Sequence, residues 1–293
     1  MNFMRFKWFY FLLSAIVILP GFFSLVKYGL RPSVDFTGGS VWELKFKETA
    51  IEDKRAVIDK VLKESKVEVN SLQFFGEKQI LVKMKPVTKE DVSSAKAVLA
   101  KELEEMPEEI RFEVVGPVLG GELVKKTITA VILASAVILI YIAWQFKDLM
   151  FGACAVLGMF HDTLVILGIF SLLGHYSGVE IDTLFVTAML TILSFSVHDT
   201  VVVYDRIRES QKRYPKVPFA ELVNKAVTET LPRSINNSMT IIFMLIALWL
   251  LGGETIKWFA FALLVGTVSG TYSSTFTSAP LLVVWQQIRS RRN

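Results

Sequence analysis

Apolar residues in this chain gather into six long runs separated by short polar links and one long polar insertion. The runs cover Trp8 to Val26, Thr127 to Phe146, Leu149 to Leu173, Leu184 to Tyr204, Ser234 to Leu251, and Trp258 to Trp285. About 20 predominantly apolar residues in a helix cross a bilayer core about 30 Å thick, so the pattern predicts six membrane-spanning helices. The links Lys147–Asp148 and Gly252 to Lys257 are short enough to make their flanking helices antiparallel neighbours. Arg5 and Lys7 precede the first run, which is too long for a signal-peptide core and is followed by no A-x-A-like site. It reads as an uncleaved anchor.

The pattern changes between the first and second runs. Ser40 to Lys47 alternates apolar and polar, the period of a half-buried strand. Thr49 to Ser65 places Ala56, Val57, Val61 and Leu62 at helical spacing, with Thr49 as its expected N-cap. Val69 to Phe75 and Gln79 to Lys85 read as strands joined at Gly76. Thr88 and Asp91 then open a helix with Val92, Ala95, Leu99 and Leu103 on one face, and Ile110 to Val115 is a last strand. The order β-α-β-β-α-β is the split βαβ, or ferredoxin-like, pattern. The expected fold is therefore an α-helical membrane protein with an inserted α+β domain. Residues 1–28 hold the N-terminus and first span, 29–122 the extracytoplasmic domain, and 123–293 the other five spans with a loop over 204–233.

Charge sets the expected orientation. With the N-terminus cytoplasmic, the inside pieces hold 13 Lys and Arg, and the short outside loops hold only Lys257. That is the positive-inside bias, which places both termini in the cytoplasm. The insertion from Lys27 to Lys126 is neutral, with 18 basic and 18 acidic residues. A hydrophobic content of 52% is close to that of soluble proteins, so the clustering and not the total marks this chain. Cys154 is the single cysteine, so no disulfide braces the inserted domain. The chain carries no zinc spacing, P-loop, G-x-G-x-x-G or hydrolase elbow, and it is not expected to be an enzyme. The basic residues of the 204–233 loop fit orientation and anionic headgroups rather than nucleic acid.

Ionisable groups inside the runs carry the chemistry. A carboxylate at mid-span is costly, about 2.5–3.5 kcal/mol on insertion scales, so it faces the bundle interior, finds a partner or takes a proton. Asp199 lies in the fourth run, with Ser196 three residues back on the same helical face. Two readings are open: a titrating proton site, or a neutral acid that hydrogen-bonds neighbouring helices. Arg233 follows Pro232 at the expected start of the fifth span, beside Asn236, Asn237 and Ser238. It either snorkels to the headgroups or turns inward to Asp199. His161-Asp162 in the third run offers a second relay acid or a structural hydrogen-bonding residue. His198 points about 100° away from Asp199 and reads as a packed polar residue, although an imidazole titrates near neutrality. Gly266, Gly270, Ser274 and Ser278 repeat every four residues along the sixth run, a close-packing stripe.

Four ordered stretches carry a family resemblance. Val34-Asp-Phe-Thr-Gly-Gly-Ser resembles a DFTGG signature, and Val115-Gly-Pro-Val-Leu-Gly-Gly-Glu-Leu a VGPxxGxEL element. Val197-His-Asp-Thr-Val-Val-Val-Tyr-Asp-Arg-Ile-Arg-Glu and Arg233-Ser-Ile-Asn-Asn-Ser complete the set. Together they resemble the SecF proteins of the SecD/SecF protein-export family, in the RND superfamily. The resemblance implies half of an RND-type transporter, completed by SecD. It also implies work beside the SecYEG translocon, often with YajC, on unfolded preprotein crossing the inner membrane. The energy source it implies is the proton gradient, with no cofactor and no metal. The family's fourth-span aspartate falls on Asp199 and its fifth-span arginine on Arg233, both tied to proton flow. One position departs: the family carries Asn before the aspartate, and here it is His198. Asp35, Gly38, Gly39, Gly116, Gly120 and Gly121 are expected to shape the junctions between membrane and domain. Two other function classes share the same membrane chemistry. A proton-driven exporter of small molecules would need larger external domains, and a scaffold of the translocon would need no titrating acid.

Overall fold

The computed structural model describes residues 2–51, 54–65, 67–146 and 148–292. The chain forms two compact units, one of Met1–Arg31 with Thr129–Asn293, the other of Pro32–Ile128. Lys147, one of the basic residues assigned to the inside, lies outside the described residues.

The Pro32–Ile128 unit begins after the first long helix, α1 (Lys7–Tyr28), with a single turn, α2 (Val34–Thr37). Then come β1 (Gly39–Lys45), α3 (Arg55–Glu64), β2 (Val69–Phe75), β3 (Gln79–Met84), α4 (Lys89–Glu102) and β4 (Glu108–Val115). The four strands form one antiparallel sheet in the order β2-β3-β1-β4. Trp42 sits opposite Val82 on one side and Phe112 on the other. Alternate residues of the central strands, Trp42, Leu44, Ile80 and Val82, are fully buried. They pack with Ile58, Val61 and Leu62 of α3 and Val92, Ala95 and Leu99 of α4. This apolar core holds the unit without a covalent brace.

The helix starts differ in quality. α4 opens on a capping box, in which Thr88 Oγ1 accepts from the Asp91 N–H at 3.3 Å and Asp91 Oδ2 accepts from the Thr88 N–H at 3.1 Å. α3 starts at Arg55, not at Thr49, and no side chain caps it. Ile51 is buried, and its N–H donates to the Glu77 carbonyl at 2.7 Å, which ties this stretch to the turn between β2 and β3. Thr49 instead donates its N–H to Glu105 at 2.8 Å.

The other unit holds α1, the later part of α5 (Pro117–Phe146), α6 (Leu149–Ser177), α7 (Thr183–Arg213), α8 (Phe219–Leu251) and α9 (Glu254–Ser273). A π-helical turn (Ser274–Ser278) and α10 (Ala279–Arg292) close the chain. Among the described residues, five helical stretches are long and apolar enough to cross a membrane: Phe3–Tyr28, Gly120–Phe146, Leu149–Ser177, Thr183–Arg213 and Phe219–Leu251. The sixth run is not among them. It is broken by the π turn, and α9 is rich in Ser, Thr and Gly.

The stretch expected as a loop over 204–233 is mostly helix. α7 continues to Arg213, and α8 already starts at Phe219, so only Tyr214 to Pro218 connects them. Val203, Tyr204, Ile207, Leu222, Val223, Ala226 and Val227 are buried, an amphipathic continuation of both helices that the charged residues between them disguise. Arg206 donates to Glu229 at 2.6 Å and clamps the two extensions together. Pro232 is therefore inside a helix, not at its start.

Helix α1 lies along α6 at a constant register. Ser14 meets His161, Gly21 meets Gly168, and Ser24 meets Ser171, each pair 147 residues apart in sequence. A constant offset means that the two helices run in the same direction. A Cβ built on Gly21 would lie 2.8 Å from the Gly168 Cα, so only glycine permits this approach.

Candidate functional site

Asp199 sits in α7 with 5% of its surface exposed. Ser234 of α8 donates to its Oδ2 at 2.5 Å. Next to it lies a cavity of about 230 Å3, lined by His198, Asp199, Thr230, Arg233, Ser234 and Asn237, among others. Arg233 is exposed at this cavity and forms no ion pair with Asp199. The pairing that the sequence left open is thus replaced here by a hydroxyl, while the guanidinium shares the same hollow. His198 is also exposed and lines that hollow, which corrects its reading as a packed residue. The physical reason is the opening between α7 and α8: a side chain 100° from Asp199 still borders it.

Asp162 of α6 is the more enclosed acid, with no exposed surface. Its Oδ1 accepts from Ser269 Oγ at 2.6 Å and stands 3.0 Å from His161 Nδ1. Its Oδ2 accepts from Ser196 at 2.5 Å and from Ser273 at 2.6 Å. Ser196 therefore serves Asp162, not Asp199, although sequence spacing placed it on the Asp199 face. Helices α6, α7 and α9 meet at this one carboxyl group. His161 Nε2 carries the network on to Ser14 of α1 at 3.0 Å. Ser14 stands 3.3 Å from Thr277 of the π turn and 3.4 Å from the Tyr272 hydroxyl. Sequence reasoning left out Ser14, Ser234, Ser269 and Ser273. The i, i+4 spacing of Ser269 and Ser273 was the available signal.

The small residues of α9 explain how the site closes. A Cβ on Gly266 would run into the Ile192 side chain at 2.3–2.6 Å, and one on Gly270 would meet Ser196 at 3.3 Å. Both glycines face α7 and bring α9 close enough for Ser269 and Ser273 to reach Asp162. Ser274 is buried in the π turn, where its hydroxyl donates to the Thr271 carbonyl at 3.2 Å. Ser278 continues the close packing against α6, where a Cβ on Gly158 would lie 2.1 Å from its hydroxyl.

In the other unit the two glycine motifs touch. Gly38 ends α2 at φ 76°, and Gly39 opens β1 at φ 153°. Ser33 caps α2 by accepting from the Asp35 N–H at 3.2 Å. A Cβ on Gly39 would lie 2.6 Å from the Met84 carbonyl oxygen, and one on Gly120 would lie 2.8 Å from the Phe36 carbonyl oxygen. Gly116 and Gly121 face open space, so their lack of a side chain is not a packing need.

Comparison with known proteins identifies the family. Residues 95–288 match the family model for the protein export membrane protein SecD/SecF, C-terminal, and residues 23–50 match the SecD/SecF GG motif. The chain is 44% identical to the protein translocase subunit SecF of Thermobaculum terrenum, over 96% of this chain and 93% of that one. It is 34% identical to the protein translocase subunit SecDF of Thermus thermophilus, over 89% of this chain and 35% of that protein. The crystal structure of SecDF from Thermus thermophilus superposes with a TM-score of 0.86 at 32% identity, covering 98% of this chain and 39% of the other. From the two matched models and the near full-length likeness to SecF proteins, the chain belongs to the SecD/SecF family of protein export membrane proteins, as a SecF member.

Proposed function

We propose that this accessory subunit of Sec protein export converts proton entry at Asp199 into movement that advances a preprotein across the cytoplasmic membrane. The observation that carries this reading is a buried carboxylate in a membrane-length helix, bordering a hollow that it shares with Arg233. A guanidinium beside an ionised Asp199 is attracted to it. A proton on Asp199 cancels that attraction and frees Arg233 and Ser234 to take other partners. One charge crossing the membrane field supplies about 2.3 kcal/mol per 100 mV, enough to bias a two-state helix packing.

In this reading α9, the π turn and α10 make the sixth span, and both termini are cytoplasmic. The Pro32–Ile128 unit is a ferredoxin-like module on the far side of the membrane, where it holds or pulls an emerging chain. Its strand order β2-β3-β1-β4 with two helices supports that assignment. SecD supplies the complementary half of the transporter. The fused SecDF of Thermus thermophilus, of which this chain spans about a third, supports that pairing. SecYEG, YajC and the preprotein complete the assembly, with the proton gradient as energy source and no cofactor.

The test is preprotein translocation into inside-out vesicles that carry the full machinery with wild-type or Asp199→Asn protein. The expected result is loss of the proton-dependent part of translocation with assembly intact. Undiminished, proton-dependent translocation by the Asp199→Asn variant refutes the mechanism.

A further inference from the structure

The Asp162 cluster is separate from the hollow at Asp199, and its bonding decides where a proton can go. Each Asp162 oxygen already has two neighbours: Ser269 and His161 at Oδ1, Ser196 and Ser273 at Oδ2. A carboxylate has about four lone-pair sites and no donor, so four incoming donors fill an ionised Asp162. A proton on Asp162 needs either His161 in its Nε2–H tautomer, with Nδ1 accepting at 3.0 Å, or Ser273 turned to the Gly270 carbonyl at 3.3 Å. Among the described residues no Lys or Arg pairs with Asp162, and His161 is its one ionisable partner.

His161 can take a proton with no rearrangement of the donors around Asp162. With Nδ1–H donating to Asp162, the neutral ring leaves Nε2 as an acceptor for the Ser14 hydroxyl at 3.0 Å. In that state the cluster carries one uncompensated negative charge among apolar helices. One added proton brings it to zero, as an imidazolium against a carboxylate. An uncompensated buried charge costs far more than a hydrogen-bonded pair. We infer that the Ser14–His161–Asp162 row is a second proton-binding site of this protein, with His161 Nε2 as the atom that takes the proton. This rests on the proposed membrane reading of the helices.

The proton balance reaches the π turn. When Nε2 gains a hydrogen, Ser14 Oγ changes from donor to acceptor, and its own hydrogen turns to Thr277 Oγ1 or to the Tyr272 hydroxyl. The Tyr272 hydrogen is already committed to the Tyr10 carbonyl at 2.7 Å, which leaves the Tyr272 oxygen as an acceptor for Ser14. The change of polarity therefore falls on Ser14 and on its two hydroxyl acceptors, Tyr272 of α9 and Thr277 of the π turn. Among the described residues, two buried hydroxyls of that same turn, Thr275 Oγ1 and Ser278 Oγ, form no hydrogen bond. π turns recur at functional positions in helices. The titratable groups facing His161 are Asp162 from its own helix and Tyr272 from α9, with Tyr10 of α1 behind Tyr272. α7 presents Ser196 to Asp162, and the π turn presents Thr277 to Ser14, neither ionisable.

The test uses the full chain in lipid nanodiscs with 15N-labelled histidine. The protein has three histidines, so removal of His175 or His198 one at a time assigns the His161 signals. The expected result is that His161 Nε2 gains a proton as the pH is lowered, while Nδ1 stays protonated throughout. In Asp162→Asn, which has no carboxylate to pair with, that proton uptake is expected to be lost. Ser14→Ala is expected to retain the titration but to move the Nε2 shift of the neutral form, because its donor is gone. A His161 ring that stays neutral in the wild type, or that titrates identically in Asp162→Asn, overturns the inference. So does an Nε2 shift unmoved in Ser14→Ala. Asp199→Asn is expected to leave the His161 titration in place. Failure of the translocation mechanism at Asp199 and failure of this second site therefore read out separately.

Discussion

Replacing Gly168 by alanine tests the contact that fixes α1 on α6. The added Cβ would lie 2.6 Å from the Gly21 Cα and 3.0 Å from its carbonyl carbon. Carbon atoms in contact sit about 3.5–4.0 Å apart, so the helices must part by about 1 Å at this point. Overpacking of this kind costs about 1–3 kcal/mol. The Ser24–Ser171 hydrogen bond, 2.8 Å long and one turn away, is stretched past its range, at about 0.6 kcal/mol for a bond between membrane helices. The better helix propensity of alanine returns up to about 1 kcal/mol. The net expectation is a loss of about 1–2 kcal/mol. Gly152 of the same helix faces open space, so Gly152→Ala keeps the propensity gain without the clash. The two variants should differ by about 2–3 kcal/mol. Equilibrium unfolding of the full chain in mixed micelles measures that difference. If Gly168→Ala matches Gly152→Ala within about 0.5 kcal/mol, the close approach of α1 and α6 is not what holds them together.

Three further outcomes concern the Pro32–Ile128 unit. The Glu105 carboxyl is pulled down to about 2 from an ordinary 4.5, first by the Thr49 side chain and then by the N–H groups of Lys47, Thr49 and Glu48. A depressed folded value means that this support is complete above about pH 4.5 and is lost as pH falls towards about 2. Hydrogen-exchange protection of the 47–49 amides, corrected for intrinsic rates, should fall over that window and be weaker and independent of pH in Glu105→Gln, whose carbonyl oxygen still accepts but does not ionise. Because Glu105 is only half-buried, solvent screening keeps the effect on global stability small. Thr88→Ala removes the capping box of α4 and should cost about 1 kcal/mol, read as faster exchange in its first turn. Gly39→Ala forces a side chain onto a backbone at φ 153° and within 2.6 Å of the Met84 carbonyl oxygen. A destabilisation of about 1–3 kcal/mol is expected in thermal unfolding, whereas Gly121→Ala, which meets nothing, should be tolerated.

Much of this molecule is legible in its residues because short-range physics writes it there. The 20-residue apolar runs follow from bilayer thickness. The alternation at Trp42 and Leu44 follows from strand geometry, and the Thr88–Asp91 cap from the unpaired amides of a helix start. The family motifs and the presence of Asp162 and Asp199 within apolar runs were equally plain. What stayed hidden depends on which helix faces which. Periodicity puts Ser196 on the face of Asp199, and only the packing of α7 against α6 and α9 gives it to Asp162. The α7 and α8 extensions read as loop because their charged faces mask a buried stripe that appears only when each has the other to cover it. The Gly21–Gly168 contact and the His161–Ser14 bond join residues 147 apart in sequence, a separation that no local period encodes. Sequence alone determined that two carboxylates lie within the apolar runs. The tertiary structure decided that one is ringed by four partners while the other borders an open hollow, because donor counts and cavities are properties of several helices together.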